Sequence, residues 1–302
     1  MRRFSCVLLG LLSLFVAAPA QAAVPSFPVS IGTYTDWSFA RRGGSTRYRA
    51  GPVEIVMEGM RDAQAPDLVQ PRLTVEYPGY PPVTLIGADT PPSQEHRFAV
   101  GRWDATRMFV LFHSYSGGAH CCTQVQLVLP DKDHLQVIDF GEWDGGYSDR
   151  LPSDLDGDGA IDFVFYDNAF LYAFASYAES GAPPLVMNVV DGDALDVSSR
   201  PSFRYLYEEA LREHRQYCLR PRDRSPNGAC AAYVAAAARV GRFDQAWGEM
   251  LRAYDRRSSW ELPTDCAVAL VDRTCPAKSV QRFSAYPDAL RHFLAAQGYI
   301  SR

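Results

Sequence analysis

The sequence predicts an α+β fold in which an antiparallel β domain, residues 23–200, precedes an α-helical domain, residues 201–302. Up to residue 200 the chain carries short runs of alternating apolar residues separated by glycine and proline, a pattern typical of strands and turns. After Pro201 the apolar residues recur at three- and four-residue spacing, which is typical of helices. A chain of 302 residues also exceeds the usual size of one domain.

The first 22 residues have the features of an export signal. Arg2 and Arg3 precede an apolar run, and Ala20-Gln21-Ala22 fits the small-x-small rule for signal peptidase. We therefore expect a signal peptide over residues 1–22 and a mature protein in the periplasm or outside the cell. No later stretch approaches twenty uninterrupted apolar residues, so we expect no transmembrane segment in the mature chain.

The charge of the chain argues against a nucleic-acid partner. The sequence has 30 basic and 35 acidic residues, and loss of Arg2 and Arg3 leaves 28 against 35, a formal charge of −7. Binding to phosphates requires clustered positive charge, which this composition does not supply. The expected partner is instead an unidentified ligand of the envelope or the exterior.

Seven runs in the β domain are predicted as strands of four to eight residues, because they are rich in β-branched and aromatic side chains and end at turn residues. They are residues 53–58, 72–77, 107–113, 122–129, 134–140, 163–166 and 185–190. Their number and length predict a propeller-blade-like sheet or a sandwich.

Residues 154–162, here called the aspartate loop, read Asp-Leu-Asp-Gly-Asp-Gly-Ala-Ile-Asp. Acids at the first, third and fifth positions would repel one another unless a cation lay between them, and glycine at the sixth position permits a sharp turn. Such oxygen ligands suit a hard divalent cation, so calcium is the expected cofactor. The loop is not an EF-hand, because its twelfth position is Phe165 rather than glutamate and a strand-like run follows.

This pattern, Asp-x-Asp-Gly-Asp-Gly-x-Ile-Asp running into an apolar strand, resembles the calcium loops of FG-GAP and VCBS-type β-propeller repeats. The resemblance implies that Asp154, Asp156, Asp158 and Asp162 supply side-chain oxygens and that Ala160 supplies a backbone carbonyl. In those propellers the ion is usually a structural clip between two strands. Only one well-formed loop of this kind occurs in the chain, so a full propeller is not expected.

Six cysteines remain after the signal peptide, an even number that predicts disulfides in an oxidising compartment. They are Cys121, Cys122, Cys218, Cys230, Cys266 and Cys275. Proximity favours bonds between Cys218 and Cys230 and between Cys266 and Cys275. The adjacent pair remains open to three interpretations: a vicinal disulfide, which local pairing of the other four favours, separate partners elsewhere, or a metal or redox site with His120.

The helical domain is predicted to contain three helical segments. Residues 203–217 and 229–254 have apolar stripes, the second interrupted near Gly241, and residues 287–297 have proline in the first turn and Gly298 as a stop. We expect a small bundle stapled by disulfides.

Known catalytic motifs are not found in the sequence. There is no Gly-x-Ser-x-Gly elbow, no His-Glu-x-x-His, no phosphate-binding glycine loop and no Cys-x-x-Cys. We therefore favour an exported, non-catalytic calcium-binding protein of the envelope. The alternatives are a periplasmic hydrolase acting on an envelope polymer, or a redox or copper-handling protein that uses His120, Cys121 and Cys122.

A candidate ligand site combines His120, Asp144, Asp167 and Tyr172. His120 lies in the turn Ser-Gly-Gly-Ala-His-Cys-Cys, and Asp167 and Tyr172 bound the segment Asp-Asn-Ala-Phe-Leu-Tyr. Together with the aspartate loop, these pieces are similar to a group of exported bacterial proteins that have no assigned activity. If the alternative hydrolase exists, His120, Asp144 and Asp167 should meet in one pocket.

Overall fold

The structure, a computed structural model, describes residues 25–118, 121–145, 150–222, 224–268 and 274–301. It confirms the predicted fold class, because a region of strands precedes a region of helices. The expected signal peptide at residues 1–22 and the predicted site residue His120 lie outside the described residues.

The strands are short to medium in length, and most lie in the first two thirds of the chain. They are β1 Ser26–Pro28, β2 Tyr34–Trp37, β3 Ser45–Ala50, β4 Val53–Asp62, β5 Ala65–Glu76, β6 Val83–Ile86, β7 His96–Arg102, β8 Met108–Tyr115, β9 Thr123–Asp131, β10 His134–Trp143, β11 Phe163–Tyr166, β12 Pro184–Val190, β13 Asp193–Asp196, β14 Asp265–Cys266 and β15 Val280–Gln281. The α-helices are α1 Phe39–Arg42, α2 Arg204–Leu219, α3 Asn227–Arg239, α4 Phe243–Ala253 and α5 Tyr286–Ala296.

Two five-stranded sheets form a sandwich, which is one of the two predicted arrangements. The outer sheet has the order β1-β3-β4-β5-β6 and the central sheet the order β10-β9-β8-β7-β2. All neighbours pair antiparallel except β1, which runs parallel to β3. Ile55 and Leu73 of the outer sheet and Phe98 and Phe112 of the central sheet are fully buried in one shared core.

The central sheet is buried on both faces. Phe109 and Leu111 of β8 point away from the sandwich core and pack with Phe163 and Phe165 of β11 in a second core. Strands β11, β12 and β13 form a third, three-stranded antiparallel sheet. Because successive side chains of a strand point to opposite faces, a strand buried on both faces reads as a continuous apolar run, as residues 108–112 of β8 do.

The third sheet separates the second core from the helices. In β12, Leu185 and Met187 pack into the second core, whereas Val186 between them packs into a third core with α2, α3, α4 and α5. The layers therefore follow one another as outer sheet, central sheet, third sheet and helices. This order places the aspartate loop, which enters β11, next to the start of α2.

The helical region is built around α3, most of whose residues are buried on every side. Its alanines allow α2 and α4 to approach closely, and a buried disulfide joins Cys218 of α2 to Cys230 of α3. The predicted interruption near Gly241 is present, since α3 and α4 are separate helices and Gly241 has a left-handed φ of 71°. No helix among the described residues is both long enough and apolar enough to cross a bilayer.

Candidate metal centre and adjoining cleft

The aspartate loop is closed at its base by an antiparallel bridge between Ser153 and Asp162, where the Asp162 amide donates to the Ser153 carbonyl over 3.0 Å. Inside the loop Gly157 and Gly159 adopt left-handed φ values of 79° and 89°, which side chains other than glycine rarely tolerate. Strand β11 then begins at Phe163. The sequence thus dictates both the tight turns and the strand that leaves the loop.

Three of the predicted ligands converge. Carboxylate oxygens of Asp154, Asp156 and Asp162 all lie within 4.8 Å of one another. Calcium binds oxygen at 2.3–2.6 Å, so two oxygens on one ion are at most about 5 Å apart. The three carboxylates are therefore spaced so that they can share one cation.

Backbone amides hold two of these carboxylates in position. Asp154 accepts from the Gly157 amide at Oδ1, over 2.7 Å, and from the Gly159 amide at Oδ2, over 3.0 Å. Asp162 Oδ2 accepts from the Leu155 amide over 2.7 Å. Each of these oxygens has a further lone pair, so a cation can bind without breaking the hydrogen bonds.

Asp162 is the buried member of the group, with 1% of its surface exposed. Burial raises the pKa of its carboxyl group, while the hydrogen bonds from Leu155 and from Asn188 act in the opposite direction. The Asn188 side-chain amide, on β12, donates to Asp162 Oδ1 over 2.7 Å and to the Ile161 carbonyl over 3.0 Å. A buried carboxylate is costly unless it is paired, and a bound cation would supply the pairing.

The exposed side of the loop is tied to the segment that precedes α2. Asp156 Oδ2 accepts from the Ser202 hydroxyl over 2.7 Å, and this hydrogen bond lowers the pKa of Asp156. Asp158 forms an ion pair with Arg200, with 2.8 Å between Nη1 and Oδ2, and its Oδ1 accepts from the Ala160 amide over 2.8 Å. Asp158 is thus not among the three converging carboxylates.

The cysteine pairs are those that proximity favours. The structure bonds Cys218 to Cys230 and Cys266 to Cys275, and it joins Cys121 to Cys122 as a vicinal disulfide. Ser116 fixes the adjacent pair, because its hydroxyl donates to the Cys121 carbonyl over 2.9 Å and accepts from the Cys122 amide over 2.6 Å.

The described residues of the predicted ligand site, Asp144, Asp167 and Tyr172, do not all line one cleft. Asp167 caps the short turn Asn168–Phe170, and its Oδ2 accepts from the Tyr299 hydroxyl over 3.0 Å. Burial raises the pKa of Asp167. Tyr172 presents its carbonyl to the Trp260 indole over 2.9 Å. The contacts of Asp167 and Tyr172 therefore support the packing of the helical region. Asp144, by contrast, lines a cleft.

That cleft, of about 690 Å³, lies between the aspartate loop, strand β11 and helix α2. Asp144 and Asp162 line it on the sheet side, and Glu209, Glu213 and His214 line it on α2. Sequence reasoning missed the three residues of α2, because no motif surrounds them. The available signal was the four-residue spacing of the two glutamates, which places both on one face of a helix.

Comparisons with known proteins give relatives but no solved structure. The family profile described as the sll0997 C-terminal domain matches residues 207–298, so the aspartate loop lies outside the matched region. The chain is 36% identical over 235 residues to the probable thylakoid lumen protein sll0997 of Synechocystis sp. (strain ATCC 27184 / PCC 6803 / Kazusa), covering 76% of this chain and 68% of that protein.

A second relative is the uncharacterized protein y4bJ of Sinorhizobium fredii (strain NBRC 101917 / NGR234). It is 39% identical over 194 residues, which cover 63% of this chain and 30% of y4bJ. The likeness thus involves less than a third of the longer protein. No solved structure matches the chain.

Proposed function

Because the chain belongs to the family of the probable thylakoid lumen protein sll0997, we propose that it is an exported, non-catalytic protein whose aspartate loop binds calcium. The observation that carries the proposal is the convergence of the Asp154, Asp156 and Asp162 carboxylates within 4.8 Å. The ion would act as a structural clip where the sheets meet the helices.

Export is supported by the disulfides and by the relative. The three cysteine pairs are bonded, and disulfides persist in oxidising compartments. The relative is described as a probable thylakoid lumen protein. The expected signal peptide over residues 1–22 agrees with this location.

The proposed role of calcium follows from what the loop touches. Asp154, Asp156 and Asp162 would supply charged oxygens, and water or carbonyl oxygens would complete the coordination. Asp162 is bonded to Asn188 of the third sheet, and Asp156 to Ser202 just before α2. An ion shared by these carboxylates would therefore link the third sheet to the start of the helical region.

Calcium is expected to raise the melting temperature of the mature chain. Sites in extracellular modules have Kd values of roughly 10⁻⁴ to 10⁻³ M, so 10 mM calcium would stabilise the fold by about 1.4–2.7 kcal/mol. For a protein of this size the shift would be about 3–10 °C. Differential scanning fluorimetry with calcium, and with magnesium for comparison, measures it.

Three variants with the same Asp→Asn chemistry test the ligand set. Asp156→Asn removes a converging carboxylate and is expected to abolish the shift. Asp67→Asn changes an exposed aspartate of β5 and is the matched control, with an unchanged shift. Asp158→Asn is expected to retain most of the shift, because Asp158 is paired with Arg200.

The outcomes separate two versions of the proposal. If Asp158→Asn abolishes the shift as Asp156→Asn does, the four-aspartate set implied by the propeller resemblance is correct and the three-carboxylate set is wrong. If 10 mM calcium produces no shift in the unmodified chain, the calcium proposal is rejected.

A further inference from the structure

The cleft beside α2 has a wall that the calcium proposal does not use. Tyr205, Glu209 and Glu213 follow one another at four-residue spacing on α2, and all three line the cleft. Like charges at this spacing repel each other on a helix. Both glutamates are exposed, and neither forms a hydrogen bond or ion pair with another described residue. Outside the cleft, Glu208 on the same helix is paired with Arg204.

His214 adds a hydrogen-bond acceptor to this wall. The side chain is 9% exposed, and its Nε2 lies 3.3 Å from the Ala182 carbonyl. A carbonyl only accepts, so Nε2 carries the proton and Nδ1 carries a lone pair. Within the described chain Nδ1 has no hydrogen-bond partner. Burial lowers the pKa of His214, which keeps the ring neutral and Nδ1 an acceptor.

Glycine at position 181 keeps the space in front of this acceptor open. A Cβ atom at Gly181 would lie 2.9 Å from His214 Nδ1 and 2.9 Å from the Ala232 side chain. Gly181 and His214 both line the cleft. Any larger residue at position 181 would therefore cover the lone pair of Nδ1.

The opposite wall also presents an acceptor and an aromatic ring. Asp144 lines the cleft, and its Oδ1 is buried with no hydrogen-bond partner among the described residues. The Tyr177 hydroxyl donates to the Asp144 carbonyl over 3.4 Å, and the Tyr177 ring lies 5.6 Å, between centroids, from the Tyr172 ring and is tilted by 40° to it. A donor from a ligand in the cleft would pair with the Asp144 carboxylate and offset the cost of its partial burial.

Among the described residues that line the cleft, negative charges outnumber positive charges. Four carboxyl groups, those of Asp144, Asp162, Glu209 and Glu213, face the one guanidinium of Arg150. The four carboxylates and His214 Nδ1 are all hydrogen-bond acceptors. Aromatic rings in the lining attract organic cations rather than hard metal ions, which need six or more oxygens.

We propose that this cleft binds an organic cation, a ligand whose ammonium or guanidinium group donates to Glu209, Glu213, His214 Nδ1 and Asp144. A volume of about 690 Å³ lies in the range of small-molecule sites. The cation could belong to a free polyamine or to a lysine or arginine side chain of a partner. This inference goes beyond the calcium proposal and does not require it.

Isothermal titration calorimetry of the mature, disulfide-bonded chain in calcium and 0.15 M salt tests the site. The probes are spermidine and the capped tripeptide Gly-Arg-Gly. At least one is expected to bind one-to-one, and the variant Glu209→Gln/Glu213→Gln to weaken binding at least tenfold. The matched control, Glu208→Gln/Glu261→Gln, removes two charges outside the cleft and is expected to change binding less than twofold.

The two probes distinguish the source of the cation, since tighter spermidine binding indicates a polyamine and tighter peptide binding indicates a protein partner. The bound probe should also shift the ¹⁵N resonance of His214 Nδ1. Asp156→Asn is expected to bind the probe normally, because Asp156 does not line the cleft, so the calcium proposal can fail separately. The inference is overturned if neither probe binds at millimolar concentration, if both double variants weaken binding equally, or if the His214 resonance does not move.

Discussion

The sheets and the helices of this protein fill their interiors in opposite ways. In the sandwich the core is made of large side chains such as Trp37, Phe98 and Phe112, each at most 1% exposed. In the helical region the centre of the core is α3, whose buried residues include the run Ala235-Ala236-Ala237. Sheets pack about 10 Å apart and need large side chains between them, whereas helices can approach until small residues touch.

In the helical region, a segment of backbone outside the helices also packs closely against α3. A Cβ atom on Gly228, in the first turn of α3, would lie 2.4 Å from the Glu179 carbonyl oxygen. The backbone of residues 179–180 thus lies directly against this helix. The two regions should therefore differ in which change of volume they tolerate: the sheets should suffer most from lost volume and the helices from added volume.

The largest effect is expected from Phe98→Ala in the central sheet. Phe98 is 0% exposed and lies 5.0 Å, between ring centroids, from Tyr48 of the outer sheet. Removing a buried phenylalanine side chain costs about 3–5 kcal/mol of unfolding free energy through lost burial and the remaining cavity. Urea unfolding measures the loss.

Phe27→Ala is the matched control for this change. Phe27 lies on edge strand β1 and is 45% exposed, so its removal should cost less than about 1 kcal/mol. Equal losses in both variants would show that the sandwich core does not dominate the stability of the sheets.

A second comparison of the two regions concerns the loss of stability at acidic pH, because buried histidines occur in both regions. His96 of β7 is 3% exposed, and burial lowers its pKa to about 4 from the ordinary 6.5. Between these values the unfolded chain binds a proton that the folded chain does not. His96 therefore does not lower the free energy of unfolding above pH 6.5. As the pH decreases from 6.5 towards 4, this residue lowers the free energy of unfolding by about 1.4 kcal/mol per pH unit.

His96→Gln should flatten the decline in stability between pH 6.5 and 4 by about 3 kcal/mol in total. The measurement is urea unfolding at pH 7, 5.5 and 4.5, read as the difference from the unmodified chain. His134→Gln, which changes an exposed histidine of β10, is the control and should leave the slope unchanged. A slope that is the same in both variants would assign the acid sensitivity to other groups, including the buried His214 of α2.

The sequence predicts the strands that their own residues make recognisable, and it misses strands that form because of packing against neighbouring strands. The run over β8 is predicted within two residues of its ends because residues 108–112 are all apolar. Strand β7 was missed, since it begins with His96 and contains Gly101, a residue that weakens strands. In the structure the Phe109 ring of the neighbouring strand lies over Gly101, where a Cβ atom would be 2.1 Å from the ring. Cross-strand packing of this kind cannot be read from β7 alone.

The candidate site shows the same difference between features that local sequence predicts and features that depend on tertiary contacts. The spacing of the aspartate loop predicted Asp154, Asp156 and Asp162 as a group, because a nine-residue loop constrains its own geometry. It did not predict that Asp158 would turn to Arg200, 42 residues later, or that Asn188 would hold Asp162. The cleft depends on where α2 lies against the third sheet, and no spacing within one segment encodes that.

The smallest expected effect completes the comparison of the two regions. Ala235→Leu inserts volume into α3 at a residue that is 0% exposed, and overpacking typically costs about 1–3 kcal/mol because side chains and backbone must shift. Ala296→Leu, at the exposed end of α5, is the matched control and should change stability by less than about 0.5 kcal/mol. Circular dichroism during thermal unfolding measures both. If Ala235→Leu were neutral, α3 would not be tightly packed, and the contrast between large-residue sheets and small-residue helices would not hold.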